Sequence, residues 1–177
     1  MSRRINLEKC IRNIPDFPKP GILFRDVTTL IQNDRAFKVA VDLLIKKFKG
    51  KKIDKVVAVE ARGFIFGAAV AYRLGVGFVP VRKKGKLPYK TNSVTYSLEY
   101  GTDTLEIHQD AISPGEKVLI IDDLLATGGT VKGVTELVEG LRGKIIGIAF
   151  VIELFDLNGR ENLRGYNIHS LIKFPGH

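Results

Sequence analysis

The sequence has little of what is typical of secreted or membrane proteins. Cys10 is the sole cysteine among 177 residues, which excludes an internal disulfide framework and a cysteine-rich metal site. No apolar run approaches the roughly 18 residues that span a bilayer. The basic residues 1–4 precede a polar stretch rather than a signal-peptide core. Without repeats or a composition shift to mark a second domain, we expect one cytoplasmic domain, residues 1–177, with no membrane partner.

The net charge of +9 permits two interpretations. One is a nucleic-acid surface, where phosphate contacts dominate binding. The other is a small polyanionic substrate in a lysine-rich background. Basic residues occur in residues 46–55, 82–90 and 160–164 rather than in one tail. An exposed, solvated surface explains the first and third clusters, so only residues 82–90 need a separate explanation. We expect no nucleic-acid partner.

Residues 118–130, V-L-I-I-D-D-L-L-A-T-G-G-T, organise the rest of the chain. Their first four residues are apolar, which is typical of a central parallel strand buried on both faces. Asp122 and Asp123 follow, and residues 126–130 then open a predicted helix. Ligands of open α/β sheets bind where strands end and loops lead into helices. Glycine amides, threonine hydroxyls and a helix N-terminus together favour an anion.

The two carboxylates argue against a simple triphosphate loop, since no lysine follows the glycines as it does in such loops. Carboxylates accept hydrogen bonds from sugar hydroxyls or bind Mg²⁺ directly or through water. A monophosphate on one side and a ribose diol on the other fit this arrangement. The alternative is a strand end with a polar cap and a glycine-rich turn.

The same thirteen residues resemble the phosphoribosyl pyrophosphate (PRPP) signature of the type I phosphoribosyltransferases. The resemblance implies an α/β, Rossmann-like core with a central, mostly parallel sheet of about five parallel strands, flanking helices and a small N-terminal hood. It also implies a homodimer and Mg²⁺ bound with PRPP, with no firm direct protein ligand. The resemblance implies that Asp122 and Asp123 bind the ribose hydroxyls. Any contact of these two residues with the metal would be through water. The 5′-phosphate is assigned to Ala126, Thr127, Gly128, Gly129 and Thr130.

Residues 11–26, I-R-N-I-P-D-F-P-K-P-G-I-L-F-R-D, could be a rigid connector leading into a strand. They resemble the N-terminal signature of the adenine phosphoribosyltransferases, which implies a hood over roughly residues 1–33. In that family the backbone of Leu23, Phe24 and Arg25 reads the adenine edge, and Leu124 also contacts the base. A carbonyl and an N–H match the N6 donor and N1 acceptor of adenine, whereas a 6-oxo purine would leave buried groups unpaired.

Two further loops carry charges. Arg62, in E-A-R-G-F-I-F-G, could be only a partner for Glu60, and the run R-K-K-G-K-L-P (residues 82–88) could be a solvated hairpin tip. Both motifs resemble pyrophosphate-binding loops of the family, the first with a cis peptide expected between Glu60 and Ala61. The resemblance implies that Arg62 binds the leaving group and acts in catalysis, and that some basic residues reach the neighbouring subunit. The pyrophosphate residues would be Glu60, Ala61, Arg62, Arg82, Lys83 and Lys86.

Residues 96–101, Y-S-L-E-Y-G, resemble the family's mobile lid, here roughly residues 83–103. The resemblance implies that Glu99 exchanges a proton with N7 of the base and that Tyr100 holds the lid closed. From the residues alone Glu99 would be an ordinary strand glutamate. The implied reaction is purine salvage, in which adenine and PRPP give AMP and pyrophosphate. The alternatives are a transferase for another base and a non-catalytic PRPP sensor that binds nucleic acid, against which the lid and Arg62 argue.

Hydrophobic periodicity and turn residues predict the remaining elements. The two loops after strands 55–59 and 118–121 should meet at one edge of the sheet. Asp34 is expected to cap the second helix, and residues 153–163 form a polar helix or loop. Helices are predicted at 7–14, 34–49, 64–74 and 130–141, a hairpin at 94–99 and 104–108, and further strands at 77–81, 145–152 and 168–172.

Overall fold

The computed structural model describes residues 5–97, Ser97 by its backbone alone, and residues 102–176. In chain order the strands are β1 (Arg12–Pro15), β2 (Leu23–Asp26), β3 (Lys55–Val59), β4 (Gly77–Lys83), β5 (Thr91–Ser97), β6 (Thr102–His108), β7 (Lys117–Leu125), β8 (Lys144–Leu154) and β9 (Ile168–Phe174). The helices are α1 (Thr28–Gln32), α2 (Asp34–Lys46), α3 (Arg62–Leu74) and α4 (Gly129–Gly140), with 3₁₀ turns at Glu8–Cys10, Phe155–Leu157 and Gly159–Leu163.

A mixed sheet in the order β5-β6-β4-β3-β7-β8-β9 forms the centre of the fold. Five neighbouring strands, β4, β3, β7, β8 and β9, are mutually parallel. Strands β6 and β5 add an antiparallel edge beside β4. Strands β1 and β2 form a separate antiparallel hairpin. The predicted α/β fold with a mostly parallel sheet is therefore confirmed.

Strand β7 is buried on both faces, as its apolar run predicts. Leu119 and Ile121 belong to one core cluster, which includes residues of α2 and α3. Val118 and Ile120 belong to the other, which includes Val134 of α4. This alternation follows from the two-residue period of a strand, and it leaves the loop after β7 between the helix layers. Among the described residues no helix is both long and apolar enough to cross a membrane.

The prediction of a helix over residues 7–14 is wrong. Only the turn Glu8–Cys10 is helical, and Arg12–Pro15 pairs with Leu23–Asp26 instead. Proline at the end of the segment disfavours helix, and the distant β2 satisfies its backbone. The predicted cap is also wrong, because the side chain of Asn33, not Asp34, accepts the Ala36 N–H at 2.9 Å.

Strand β7 does not end at the two aspartates. It continues through both of them to Leu125, because β8 pairs with it up to the pair Leu125 and Glu153. The acidic side chains therefore lie on a hydrogen-bonded strand rather than in a loop. Helix α2 ends at Lys46, before the predicted residue 49. Residues 98–101 lie outside the described part of the chain, so the strand predicted to residue 99 is described only to Ser97.

Candidate active site

The loops after β3 and β7 meet at one edge of the sheet, as predicted. The two strands are parallel neighbours, with Ala58 opposite Ile121, so their carboxyl ends open into the same space. A cavity of about 410 Å³ lies there. It is lined by Val59, Glu60, Ala61, Arg62, Asp122, Asp123, Leu124, Leu125, Ala126, Thr127, Gly128, Gly129, Thr130 and Val131.

The two aspartates are buried, with 9% and 7% of their surface exposed. The Asp123 N–H donates to Oδ1 of Asp122 at 2.9 Å, and Nε of Arg62 lies 2.7 Å from Oδ2 of Asp123. Burial, followed by the adjacent negative charge of Asp123, raises the pKa of Asp122 well above its usual value. Burial also raises the pKa of Asp123, although the Arg62 guanidinium opposes that rise. Arg62 thus pairs with Asp123, and the alternative pairing with Glu60 is wrong.

Gly63 is a site residue that the sequence reasoning missed. A Cβ built on it would lie 2.6 Å from Oδ1 of Asp122, a distance that real Cβ atoms do not tolerate. The absence of a side chain therefore lets the start of α3 approach the acidic pair. The glycine directly after Arg62 was the available signal, since glycine is typical where backbone approaches another group closely.

The phosphate-type loop has the local structure that its glycines predict. Gly128 has φ +83° and precedes α4, a left-handed conformation that glycine adopts without strain. The N-terminus of α4 therefore faces the cavity, where its free N–H groups and dipole favour an anion. Asn162, which was not predicted, donates from Nδ2 to the Thr127 carbonyl at 2.8 Å.

Glu60 binds the basic turn, residues 82–88, beside the cavity. Its side chain is 9% exposed and accepts from Nη2 of Arg82 at 3.2 Å and Nζ of Lys86 at 3.1 Å. The Lys83 N–H adds a hydrogen bond of 2.7 Å, and Nζ of Lys83 lies 2.8 Å from Asp103. Burial alone would raise the pKa of Glu60, but these donors outweigh it and lower the pKa. The basic turn is therefore exposed to solvent but held in place by ion pairs with Glu60 and Asp103.

The peptide bond between Glu60 and Ala61 is cis, in agreement with the expectation from resemblance. Arg62 begins α3 directly after it. Its guanidinium carbon lies 5.5 Å from the centre of the Phe24 ring, within the range of a cation–π contact. The hood hairpin therefore contacts a cavity-lining residue, Arg62, through Phe24, which also packs edge-on against Phe17 at 5.2 Å.

Leu23 and Arg25 flank Phe24 on β2, and alternate residues of a strand direct their backbone groups to the same edge. The Arg25 side chain does not point at the cavity. Its guanidinium donates to Asn13 and to the Pro175 carbonyl at 2.7 and 3.2 Å, and it lies over the Phe174 ring. Any role of Arg25 in base binding therefore falls to its backbone, as expected. The catalytic assignments to Glu99 and Tyr100 lie outside the described residues.

The described residues hold no group of three or more histidine, cysteine, aspartate or glutamate side chains that could bind a metal ion. Of the three carboxylates that line the cavity, Glu60 pairs with Arg82 and Lys86, which leaves Asp122 and Asp123 as the oxygen donors. Two carboxylates fit a cation whose other ligands come from a substrate or from water, as is usual for Mg²⁺.

The fold and this cavity define a class of protein, and comparison with known families identifies it. The family model described as "Phosphoribosyl transferase domain" matches residues 26–171, a span that includes the cavity-lining residues. The chain therefore belongs to the phosphoribosyltransferases.

Similar proteins narrow this family further. The chain is 57% identical to an adenine phosphoribosyltransferase of Escherichia coli over 97% of this chain and 94% of that one. It is 56% identical to one from Rhizobium leguminosarum, over 97% and 96% of the two chains. Within the phosphoribosyltransferases, the chain therefore belongs to the adenine phosphoribosyltransferases. The structure of an adenine phosphoribosyltransferase from Thermoanaerobacter pseudethanolicus superposes with a TM-score of 0.92 at 56% identity, covering 96% of this chain and 100% of that one. The enzyme from Saccharomyces cerevisiae, solved with adenine and an imino-altritol bisphosphate, gives 0.89 at 43% identity, with 93% and 96% covered.

Proposed function

We propose that the protein transfers the 5-phosphoribosyl group of PRPP to N9 of adenine and releases AMP and pyrophosphate. One observation supports this most: the acidic pair, the T-G-G-T loop and Arg62 line a single cavity. These are the groups that a sugar diol, a phosphate ester and a polyanionic leaving group require. Relatives at 56% and 57% identity that are named for this activity support the choice of base.

The PRPP roles follow from the charges in the cavity. Asp122 and Asp123 accept hydrogen bonds from the ribose hydroxyls, and residues 126–130 bind the 5′-phosphate through backbone N–H groups and two hydroxyls. Asp122 and Asp123 would hold Mg²⁺ bound with PRPP, directly or through water, and the ion would supply positive charge that stabilises the pyrophosphate leaving group. The ion pair of Arg62 with Asp123 supports a role for these carboxylates as acceptors in a site of mixed charge.

Within the two loops assigned to pyrophosphate, the positively charged side chains bind the leaving group. Arg62, Arg82, Lys83 and Lys86 supply positive charge and donors as the leaving group departs. A carboxylate repels pyrophosphate, so Glu60 acts by holding Arg82 and Lys86 in position. The backbone at Ala61 borders the cavity and can donate to the same group.

Adenine binds between the hood and β7. Phe24 lies against one face of the base, the backbone of Leu23 and Arg25 reads its edge, and Leu124 supplies an apolar contact. As the C1–O bond to pyrophosphate breaks, N9 of adenine bonds to C1, and the proton that adenine loses leaves from N7 to Glu99. Tyr100 holds the lid closed and thereby excludes water, which would otherwise hydrolyse PRPP. The hood at residues 1–33, the lid at residues 83–103, a homodimer and a cytoplasmic location are parts of the same proposal.

The test is product formation from PRPP and Mg²⁺ with adenine, hypoxanthine, guanine, xanthine and orotate offered separately. We expect AMP from adenine and no product from the 6-oxo bases. Arg62→Gln should lower kcat/KM by about a hundred-fold, the size of effect seen when a donor to developing charge is lost. Arg73→Gln is the matched control, because Arg73 pairs with Asp42 on exposed helix surface. Turnover of another base, or of none, would contradict the proposal.

A further inference from the structure

The segment 158–163 packs against the outer side of the phosphate-type loop, and we call it the bracket. It begins at Asn158, which has φ +53°, and contains the 3₁₀ turn Gly159–Leu163. Two of its residues contact the loop: Asn162 through its side chain and Gly159 through its backbone. Neither is among the residues that line the cavity. The bracket therefore contacts the loop from behind.

Asn162 fixes the orientation of one peptide group in the loop. Its Nδ2 donates to the Thr127 carbonyl at 2.8 Å. In a trans peptide the C=O and the following N–H point in opposite directions. The N–H of Gly128 must therefore point away from the bracket and toward the cavity side.

Gly159 packs closely against the preceding peptide group of the loop, between Ala126 and Thr127. A Cβ built on Gly159 would collide with the Ala126 carbonyl, and one built on Gly128 would collide with the Gly159 carbonyl. The Ala126 carbonyl thus faces the bracket, and the Thr127 N–H lies on the other side of that peptide. Two successive N–H groups on one side form an anion-binding concavity. A carbonyl turned to that side would repel a phosphate.

The bracket is itself anchored to the core. Arg160 donates from Nε and Nη2 to the two carboxylate oxygens of Glu153, at 2.7 Å each. Glu153 is 4% exposed and Leu163 is fully buried. Glu153 lies opposite Leu125, the last residue of β7 before the loop. Loop and bracket therefore follow the ends of two paired strands, β7 and β8, the bracket after one short turn.

We propose that Asn162 is a positioning residue for phosphate binding: it holds the Thr127 carbonyl away from the ligand so that loop N–H groups face the phosphate. This rests on the proposed role of residues 126–130 in binding a phosphate ester. Asn162 touches no substrate, so its effect should appear in affinity for phosphate-bearing ligands rather than in the chemical step.

The decisive variant is Asn162→Asp, which keeps the side-chain shape but replaces the donor by an acceptor facing the Thr127 carbonyl. Titration calorimetry of the full chain with AMP and, separately, with adenine gives the readout. We expect the Kd for AMP to rise about ten-fold, the effect of one lost hydrogen bond plus an unfavourable acceptor pair. The Kd for adenine should stay within about two-fold, because its binding does not use the loop. Asn162→Ala should give a smaller rise than Asn162→Asp.

Kinetics supply a second readout. The KM for PRPP should rise in both variants while kcat stays near that of the unchanged protein, as expected for a binding contact outside the reacting groups. Arg164→Ala is the matched control, because Arg164 is exposed and pairs with Glu161 in the same turn. It should change neither constant. Equal AMP affinity in Asn162→Asp and the unchanged protein would overturn the proposal alone. Failure of the unchanged protein to bind AMP would overturn the proposed function with it.

Discussion

Asp122→Asn should make the protein more stable and a poorer binder of PRPP. The Asp122 carboxylate is buried and receives one described hydrogen bond, from the Asp123 N–H at 2.9 Å. An amide oxygen can accept the same bond without the charge. A buried charged group that is incompletely hydrogen-bonded costs about 1–3 kcal/mol. Relief of that cost should raise the melting temperature by about 2–10 °C for a chain of this size.

The stability difference between Asp122→Asn and the unchanged protein should depend on pH. Because the pKa of Asp122 is raised in the folded state, the folded protein holds this proton at pH values where the unfolded chain has lost it. The free energy of unfolding therefore falls as pH rises from about 4, the usual aspartate pKa, through the raised pKa. The variant lacks this term, so its advantage should be small near pH 4 and should grow with pH across that window.

Thermal unfolding at about pH 4, 6 and 8 measures the effect, and calorimetric titration measures ligand affinity. PRPP affinity should fall at least about ten-fold, since the amide adds donors where ribose hydroxyls need an acceptor. Asp123→Asn is the comparison variant: it removes the partner of Arg62 at 2.7 Å and should give no comparable stabilisation. A melting temperature that is unchanged or lower at every pH would refute the reasoning about burial.

Three further predictions concern the same edge of the sheet. Glu60→Gln should lower the free energy of unfolding by about 1–3 kcal/mol near neutral pH. Since the pKa of Glu60 is lowered, urea titrations should show the difference vanishing as pH falls through that pKa. Gly63→Ala should raise the KM for PRPP in steady-state assays, because its Cβ would displace the Asp122 carboxylate. Gly128→Ala should cost at least about 1–2 kcal/mol in chemical denaturation, because φ is +83° there and a Cβ would also collide with the Gly159 carbonyl; a cost near zero would contradict this.

Much of the fold is local and was predictable. The strand Lys55–Val59 has the predicted bounds, because an apolar run between charged residues marks both its ends. Gly75 ends α3 in the left-handed conformation, as a helix followed by glycine predicts. The loops after β3 and β7 were predicted to meet from the order of strands and helices alone.

The contacts that complete the site are not local, and sequence periodicity could not reveal them. Asn162 reaches a carbonyl 35 residues earlier in the chain, and Glu60 binds Lys86, 26 residues later. The segment Arg12–Pro15 is a strand only because β2 lies beside it. In each case the deciding partner is fixed by tertiary packing, which overrides local propensity.

The ion pairs at the cavity have a consequence for ionic strength. Each cation assigned to pyrophosphate already has a carboxylate within 3.2 Å, with Arg62 on Asp123, Arg82 and Lys86 on Glu60, and Lys83 on Asp103. A polyanion therefore binds to cations whose charge is already partly neutralised. The salt dependence of affinity should be weaker than four free cations would give. The same carboxylates stay beside these cations and compete for them with the product, which favours release of the pyrophosphate.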